Sequence, residues 1–121
     1  MLIILVVDDQ LKVAAWGVMT DGFKTKVPGH LLTVSLADKS IMDHGEGTPI
    51  GNLDGLEPLG DGKYLVSDWM AGKVYRIGPK GKATELLSLT QGTADLSYIP
   101  ATKTMYLPMM MDGKVIGYRM E

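Results

Sequence analysis

The sequence predicts an all-β fold built from repeated four-stranded antiparallel sheets. Fifteen glycines and six prolines divide the 121 residues into short segments, and such segments favour strands over helices, which need 10–12 uninterrupted residues. Apolar runs bounded by turn residues lie between these breaks, as expected for half-buried strands. The chain also repeats at a spacing of 41 residues, and a repeat of this length indicates one supersecondary unit stacked on the next.

The repeat is clearest between the middle of the chain and its C-terminal part. At a shift of 41 residues, Leu53-Asp54 falls on Ala94-Asp95 and Gly72-Lys73-Val74 falls on Gly113-Lys114-Val115. Each match is weak alone, and the shared order of the matches is what makes the repeat credible.

An upstream copy lies at a larger shift of 53 residues, where Trp16 falls on Trp69. The longer loop from Val18 to Gly29 explains the difference, because the middle copy has only three residues there, Met70-Ala71-Gly72.

Each copy is predicted to contain consecutive strands joined by turns. In the first copy the predicted strands are Leu2 to Asp8, Leu11 to Gly17, His30 to Leu36 and Ser40 to His44. In the second copy they are Leu53 to Leu59, Lys63 to Asp68, Lys73 to Ile77 and Ala83 to Ser88. In the third copy they are Ala94 to Ile99, Thr104 to Met110 and Lys114 to Met120, without a fourth, outer strand.

Four antiparallel strands in about 41 residues have the size of one β-propeller blade. We therefore predict one domain over residues 1–121, with blades at approximately 1–50, 51–91 and 92–121. A β-sandwich or a barrel with similar turn spacing is the alternative fold.

The middle copy carries the most distinctive motif. It reads Leu53-Asp54-Gly55-Leu56-Glu57, then the turn Gly60-Asp61-Gly62, then a strand ending in Asp68-Trp69. This pattern resembles a blade of the SMP-30/gluconolactonase-like propellers, and the wider NHL-like propellers share parts of it. The resemblance covers the whole chain, most clearly residues 52–89. It implies a six-bladed propeller, of which this chain would be half.

The resemblance also implies a chemistry. Members of that family hold a divalent metal, often calcium, at one mouth of the central channel, where it polarises a lactone or ester carbonyl. Asp54 matches the family's metal-binding Asp, and Asp95 is its repeat equivalent, so both are the predicted metal ligands. A ligating Asn of the family falls on Met1, and its ligating Glu has no counterpart here. The implied site is incomplete, and no catalytic residue is assigned.

Other polar residues have simpler explanations. The alternative to a metal role is that Asp54 and Asp95 each cap or hydrogen-bond the mouth of an inner strand. Asp68 is placed to fix the hairpin that follows it. His30 and His44 are the only histidines, and both fall on outer strands, where surface or packing roles are expected.

Two reaction classes are disfavoured by what the sequence lacks. Ser67 has no histidine partner by spacing and no G-x-S-x-G motif around it, which disfavours a serine hydrolase. Without cysteine or a histidine pair, a zinc site is not expected.

The large apolar side chains are predicted to be core residues. Trp16 and Trp69 are repeat equivalents that are expected to pack between blades, although this strand end can also line a substrate mouth. Met109, Met110 and Met111 are expected to pack in the core. The long loop from Val18 to Gly29 carries Asp21, Phe23, Lys24 and Lys26. Long loops on a propeller face often shape a site, but solvated decoration is the more common case.

Composition excludes several partners. The formal charge of −2 comes from 12 basic and 14 acidic residues spread along the chain, without the basic patch that nucleic acid requires. The opening run Leu2 to Val7 is too short to span a membrane, and it lacks the basic flank of a signal peptide. We expect a soluble chain whose compartment the sequence leaves open.

A propeller blade is covered by a neighbour on both faces, so three blades leave two apolar faces bare. We therefore predict a homodimer that completes a six-bladed ring. A fragment of a longer product is the alternative. Two functions remain open at this stage: a non-catalytic ring that binds a ligand or a protein, and a divalent-metal-dependent hydrolase of lactones or small esters.

Overall fold

The computed structural model describes residues 2–45 and 47–120, and within them the chain forms thirteen β-strands and no helix. The strands are β1 (Leu2–Val7), β2 (Gln10–Ala15), β3 (Gly17–Met19), β4 (Thr25–Pro28), β5 (Leu31–Ser35), β6 (Ile41–Asp43), β7 (Leu53–Gly60), β8 (Lys63–Asp68), β9 (Lys73–Ile77), β10 (Ala83–Ser88), β11 (Ser97–Ile99), β12 (Thr104–Met109) and β13 (Lys114–Arg119).

The strands form three larger antiparallel sheets and one hairpin. Sheet I has the order β1-β2-β5-β6, sheet II the order β7-β8-β9-β10, and sheet III the order β11-β12-β13. Each of the eleven predicted strands has a counterpart at the predicted place, and the predicted all-β, antiparallel arrangement is confirmed.

Two details differ from the prediction. The predicted loop from Val18 to Gly29 contains the short hairpin β3–β4. The first strand of sheet III begins at Ser97 rather than at Ala94. Thr93 and Ala94 contact β12 through an isolated bridge from Thr93 to Met109 and a hydrogen bond from the Ala94 N–H to the Pro108 carbonyl.

Turn chemistry sets the spacing of the strands. Asp61 and Gly62 connect β7 to β8, and both have positive φ, 55° and 74°. A two-residue type I′ hairpin turn requires positive φ at both central positions, and Asp-Gly is one of the pairs that best adopts it. This turn sets Gly60 opposite Lys63, and an irregularity between Pro58 and Gly60 then shifts the register so that Tyr64 pairs with Pro58 and Leu65 with Glu57.

Two layers of apolar side chains hold the three sheets face to face. The layer between sheets I and II is built around buried residues from both sheets: Ala14, Leu31, Leu53, Leu56, Tyr64, Val66 and Ile77. The layer between sheets II and III contains Leu65, Val74, Leu96, Met105, Leu107 and Met109. Sheet II is therefore covered on both faces, and burial of its apolar side chains, at about 25 cal/mol per Å2, is the main stabilising term.

The hairpin β3–β4 is anchored to the end of β2 by a glycine. A Cβ on Gly29 would overlap the backbone carbonyl of Ala15, so only glycine permits this approach. The N–H of Gly29 donates to the Gly51 carbonyl at 2.7 Å. The hairpin is thus held at the edge where sheets I and II meet.

Across the part of the chain that the structure describes, there is no helix with the length and apolar character required to traverse a bilayer.

Candidate functional site

One edge of the stacked sheets brings the two predicted acidic site residues near each other. Asp54 is the second residue of β7, and its neighbour Leu53 pairs with Asp68 at the end of β8. Asp95 lies in the segment that precedes β11. Gly55 makes the approach possible, because a Cβ there would lie 2.9 Å from the Asp95 Cα.

Ser67 joins these two segments. Its side chain is completely buried. The Ser67 hydroxyl accepts a hydrogen bond from the Gly55 N–H at 2.8 Å and donates one to the Ala94 carbonyl at 2.7 Å. The Ser67 hydroxyl therefore connects the beginning of β7 to the segment that precedes β11.

The carboxyl groups at this edge interact electrostatically. Burial raises the pKa of Asp54 above its ordinary value, and the nearby charge of Asp95 raises that pKa further. Partial burial raises the pKa of Asp95 as well, while a hydrogen bond from the Leu56 N–H lowers it in part. Asp54 is buried, whereas Asp95 is exposed, so water screens part of the repulsion between the two carboxylates. A proton or a cation at Asp54 would relieve the remainder.

Glu57 is a third acidic group here that the sequence analysis missed. Burial raises the pKa of Glu57, and the charge of Asp95 raises it further. A hydrogen bond from the Tyr98 N–H lowers the same pKa in part. Positions 54 and 57 would point to opposite faces of a regular strand. The pairing of β7 with β8 is irregular between Leu53 and Leu56, so the alternation is interrupted between the two. In the sequence, the glycine at position 55 was the one sign of an irregular strand pairing here, because a glycine inside a strand often marks a bulge.

The described residues do not complete a calcium site. Among residues 2–45 and 47–120 no group of three or more His, Cys, Asp or Glu side chains is placed to hold a metal ion. Calcium takes about six to eight oxygen ligands, and two Asp carboxylates fall short of that number. Met1, on which a ligand position of the resembled family falls, lies outside the described residues.

The same edge carries an aromatic cavity of about 600 Å3. Three rings form one side: Trp16 lies 6.1 Å from Trp69, and Phe23 lies 6.3 Å from each, between ring centroids. The remaining lining residues are Asp21, Gly22, Lys24, Met70, Gln91, Met110 and Met111. Trp16 and Trp69 follow the ends of β2 and β8, so the repeat places both indoles at one edge of the molecule.

Each wall of the cavity is positioned by a different contact. Phe23 comes from the β3–β4 hairpin, which Asn52 holds by donating hydrogen bonds to the Trp16 carbonyl and the Thr25 hydroxyl, both at 3.1 Å. The Trp69 indole N–H lies 3.4 Å from the sulfur of Met110. The buried indole N–H of Trp16 has no acceptor among the residues described.

The methionine run divides between core and cavity. Met109 is buried between sheets II and III, as expected. The same expectation was wrong for Met110 and Met111, which are exposed and line the cavity, because β12 ends at Met109 and both residues lie in the turn that leads to β13.

The histidines and Asp68 have structural roles. His44 is buried, and its Nε2 faces the carbonyls of Gly62 and Gly78 at 3.1 and 3.0 Å. The proton is therefore on Nε2, and Nδ1 accepts from the Lys12 ammonium at 3.1 Å. Asp68 accepts a hydrogen bond from the Ala71 N–H at 3.0 Å, which confirms that it fixes the following turn.

His30 also has a structural partner. His30 immediately precedes β5, and its Nδ1 lies 2.9 Å from a carboxylate oxygen of Asp43 at the end of β6. Neither histidine is placed beside the acidic residues of β7.

A scan against protein-family models and a search of curated proteins each found no match for this chain.

Proposed function

We propose that sheets I, II and III are three consecutive blades of a β-propeller of the SMP-30/gluconolactonase-like type, and that the chain is a ligand-binding module without catalysis. Its ligand occupies the aromatic cavity. The observation that carries this proposal is the convergence of Trp16, Phe23 and Trp69 from two sheets and a hairpin on one cavity.

The size and lining of the cavity define the ligand class. Its volume of about 600 Å3 lies within the roughly 300–1,000 Å3 typical of small-molecule sites. Aromatic faces and methionine sulfurs favour a flat apolar molecule, which they contact from several sides. Asp21 and Lys24 at the cavity carry opposite charges, so the lining gives no preference for an ionic ligand.

The favoured class is therefore a neutral, flat, apolar molecule that the three rings and the methionine side chains contact.

The two tryptophans of the chain both line the cavity, so their indole N–H resonances report on it directly. Coumarin, a neutral aromatic lactone, is a suitable probe. In a 15N-labelled sample, coumarin is expected to shift both indole signals in a saturable titration. The expected Kd lies between roughly 0.1 and 1 mM, as the size of the probe allows.

Matched variants on the hairpin locate the binding. Phe23→Ala removes one wall of the cavity and is expected to weaken coumarin binding about tenfold, whereas Met19→Ala on the same hairpin leaves the affinity unchanged. Unchanged indole signals at saturating coumarin, or equal binding by wild type and Phe23→Ala, would refute the proposed ligand site.

A divalent-metal-dependent hydrolase of lactones or small esters is the second candidate. The electrostatic coupling of Asp54 with Asp95 favours it, because a cation would relieve the repulsion between the buried carboxylate of Asp54 and the exposed one of Asp95. The incomplete ligand set opposes it.

Calorimetric titration with Ca2+ separates the two candidates. The hydrolase interpretation predicts saturable heat in wild type that disappears in Asp54→Asn, accompanied by calcium-dependent hydrolysis of δ-valerolactone. The binding-module proposal predicts no hydrolysis with or without Ca2+. Hydrolysis that requires Asp54 would overturn it.

A further inference from the structure

The outer face of sheet I is an uncovered apolar surface. Because cross-strand partners share a face, one row runs over all four strands and consists of Val6, Leu11, Val34 and Ile41. Val6 and Ile41 are 64% and 68% exposed. Ile4, in the next row, is 54% exposed. A row of apolar side chains on a sheet face is normally packed against another layer.

In sheet II, the equivalent row of side chains is covered by another sheet. Tyr64 and Ile77 belong to the row that matches Leu11 and Val34, and they are 3% and 0% exposed because sheet I covers them. We name this side of each sheet, which contacts the preceding sheet in the chain, the front face. The front face of sheet I carries the same kind of apolar row as the front face of sheet II. Among the described residues, however, no other sheet packs on it.

Sheet III has an uncovered surface on its other side, which corresponds to the side of sheet II that packs against sheet III. Val74 of sheet II is completely buried against sheet III, whereas its repeat equivalent Val115 is 66% exposed. Leu65 is likewise buried, and its equivalent Tyr106 is 45% exposed. We name the side that contacts the following sheet the back face. The back face of sheet III is open within the described residues.

We propose that the back face of sheet III packs on the front face of sheet I of a second copy of this chain. The molecule already contains this type of contact twice, between sheets I and II and between sheets II and III. Each open face belongs to one side of that contact, so the new interface continues an existing one. The pairing is head-to-tail, and it must close to avoid an open filament.

The number of copies rests on the proposed propeller architecture, whereas the pairing of the faces rests on packing alone. Closed propellers have roughly four to eight blades. A chain that contributes three blades closes within that range only as two copies, which gives six. In this ring both open faces of each chain are covered.

The test uses light scattering on the full chain and three lysine substitutions at exposed valines. Val6→Lys lies on the open front face, Val115→Lys on the open back face, and Val18→Lys on the β3–β4 hairpin, where Val18 is 56% exposed. Wild type and Val18→Lys are expected at twice the chain mass of 13.1 kDa. Val6→Lys and Val115→Lys should each raise the dissociation constant at least tenfold, because a lysine would be buried without a partner.

Mixing the two face variants separates head-to-tail from symmetric pairing. Each variant retains one intact face, so an equimolar mixture is expected to regain association that neither variant shows alone. Dispersed amide spectra of the separate variants confirm that they remain folded.

Three results would overturn the inference: a monomeric wild type, an effect of Val6→Lys without any effect of Val115→Lys, or wild-type assemblies that grow beyond two copies. A monomer that still binds coumarin would reject the assembly alone and leave the proposed ligand site standing.

Discussion

Replacing Ser67 with alanine removes the hydroxyl that joins sheets II and III at the acidic edge. The substitution keeps nearly the same volume and leaves the Gly55 N–H and the Ala94 carbonyl without their partner. A buried polar group deprived of its hydrogen bond costs about 1–3 kcal/mol, so the two together predict a loss of about 2–6 kcal/mol. For 121 residues, an unfolding entropy of roughly 0.25 kcal/mol per degree converts this loss into a Tm decrease of about 8–24 °C.

Circular dichroism melts of wild type and Ser67→Ala at equal concentration measure this decrease directly. Ser88→Ala is the matched control, because Ser88 is exposed on β10, and a change within about 0.5 kcal/mol is expected there. If Ser67→Ala melts within the range of the Ser88→Ala control, the Ser67 hydroxyl does not join the sheets and the geometry of the acidic edge is wrong.

Three further predictions concern other buried residues. Gly55→Ala places a Cβ 2.6 Å from the Ser67 hydroxyl oxygen and should lower stability in urea by about 1–3 kcal/mol; an unchanged midpoint would contradict the close approach. Burial, then the charge of Lys12, lowers the pKa of His44, so wild type should lose stability as pH falls below about 6.5, the unfolded value. His44→Gln should lack that loss in urea melts between pH 7 and 5.5, and equal slopes would exclude the effect. Asp54 has a raised pKa, so in EDTA Asp54→Asn should have a higher urea midpoint at pH 7, and the gain should vanish as acid protonates the wild-type carboxyl. A lower urea midpoint for Asp54→Asn than for wild type at pH 7 would contradict the raised pKa of Asp54.

Most of the strand layout was accessible from sequence because turn residues and short apolar runs encode it locally. The Asp61-Gly62 turn and the paired strands around it are determined by backbone preferences of the residues themselves. The β3–β4 hairpin was missed because its strands are short and largely exposed, so they lack the alternation that marks a half-buried strand.

The candidate site was accessible only in part. The repeat predicted that Asp54 and Asp95 occupy equivalent positions, and their carboxylates do interact. Glu57 joins them through an irregular pairing of β7, which alternation along a strand does not reveal. Phe23 was not predicted as a binding residue, because its contact with Trp16 and Trp69 depends on the tertiary position of the hairpin.

A crystal structure of the assembled chain decides how the sheets are paired, because it shows what covers the outer face of sheet I. We predict three sheets stacked in the order I, II, III, with sheet III of each copy seated on sheet I of the other and six sheets around one axis. Strands that wrap into a single closed barrel, or outer sheets whose Val6 and Val115 stand in solvent, would contradict the account.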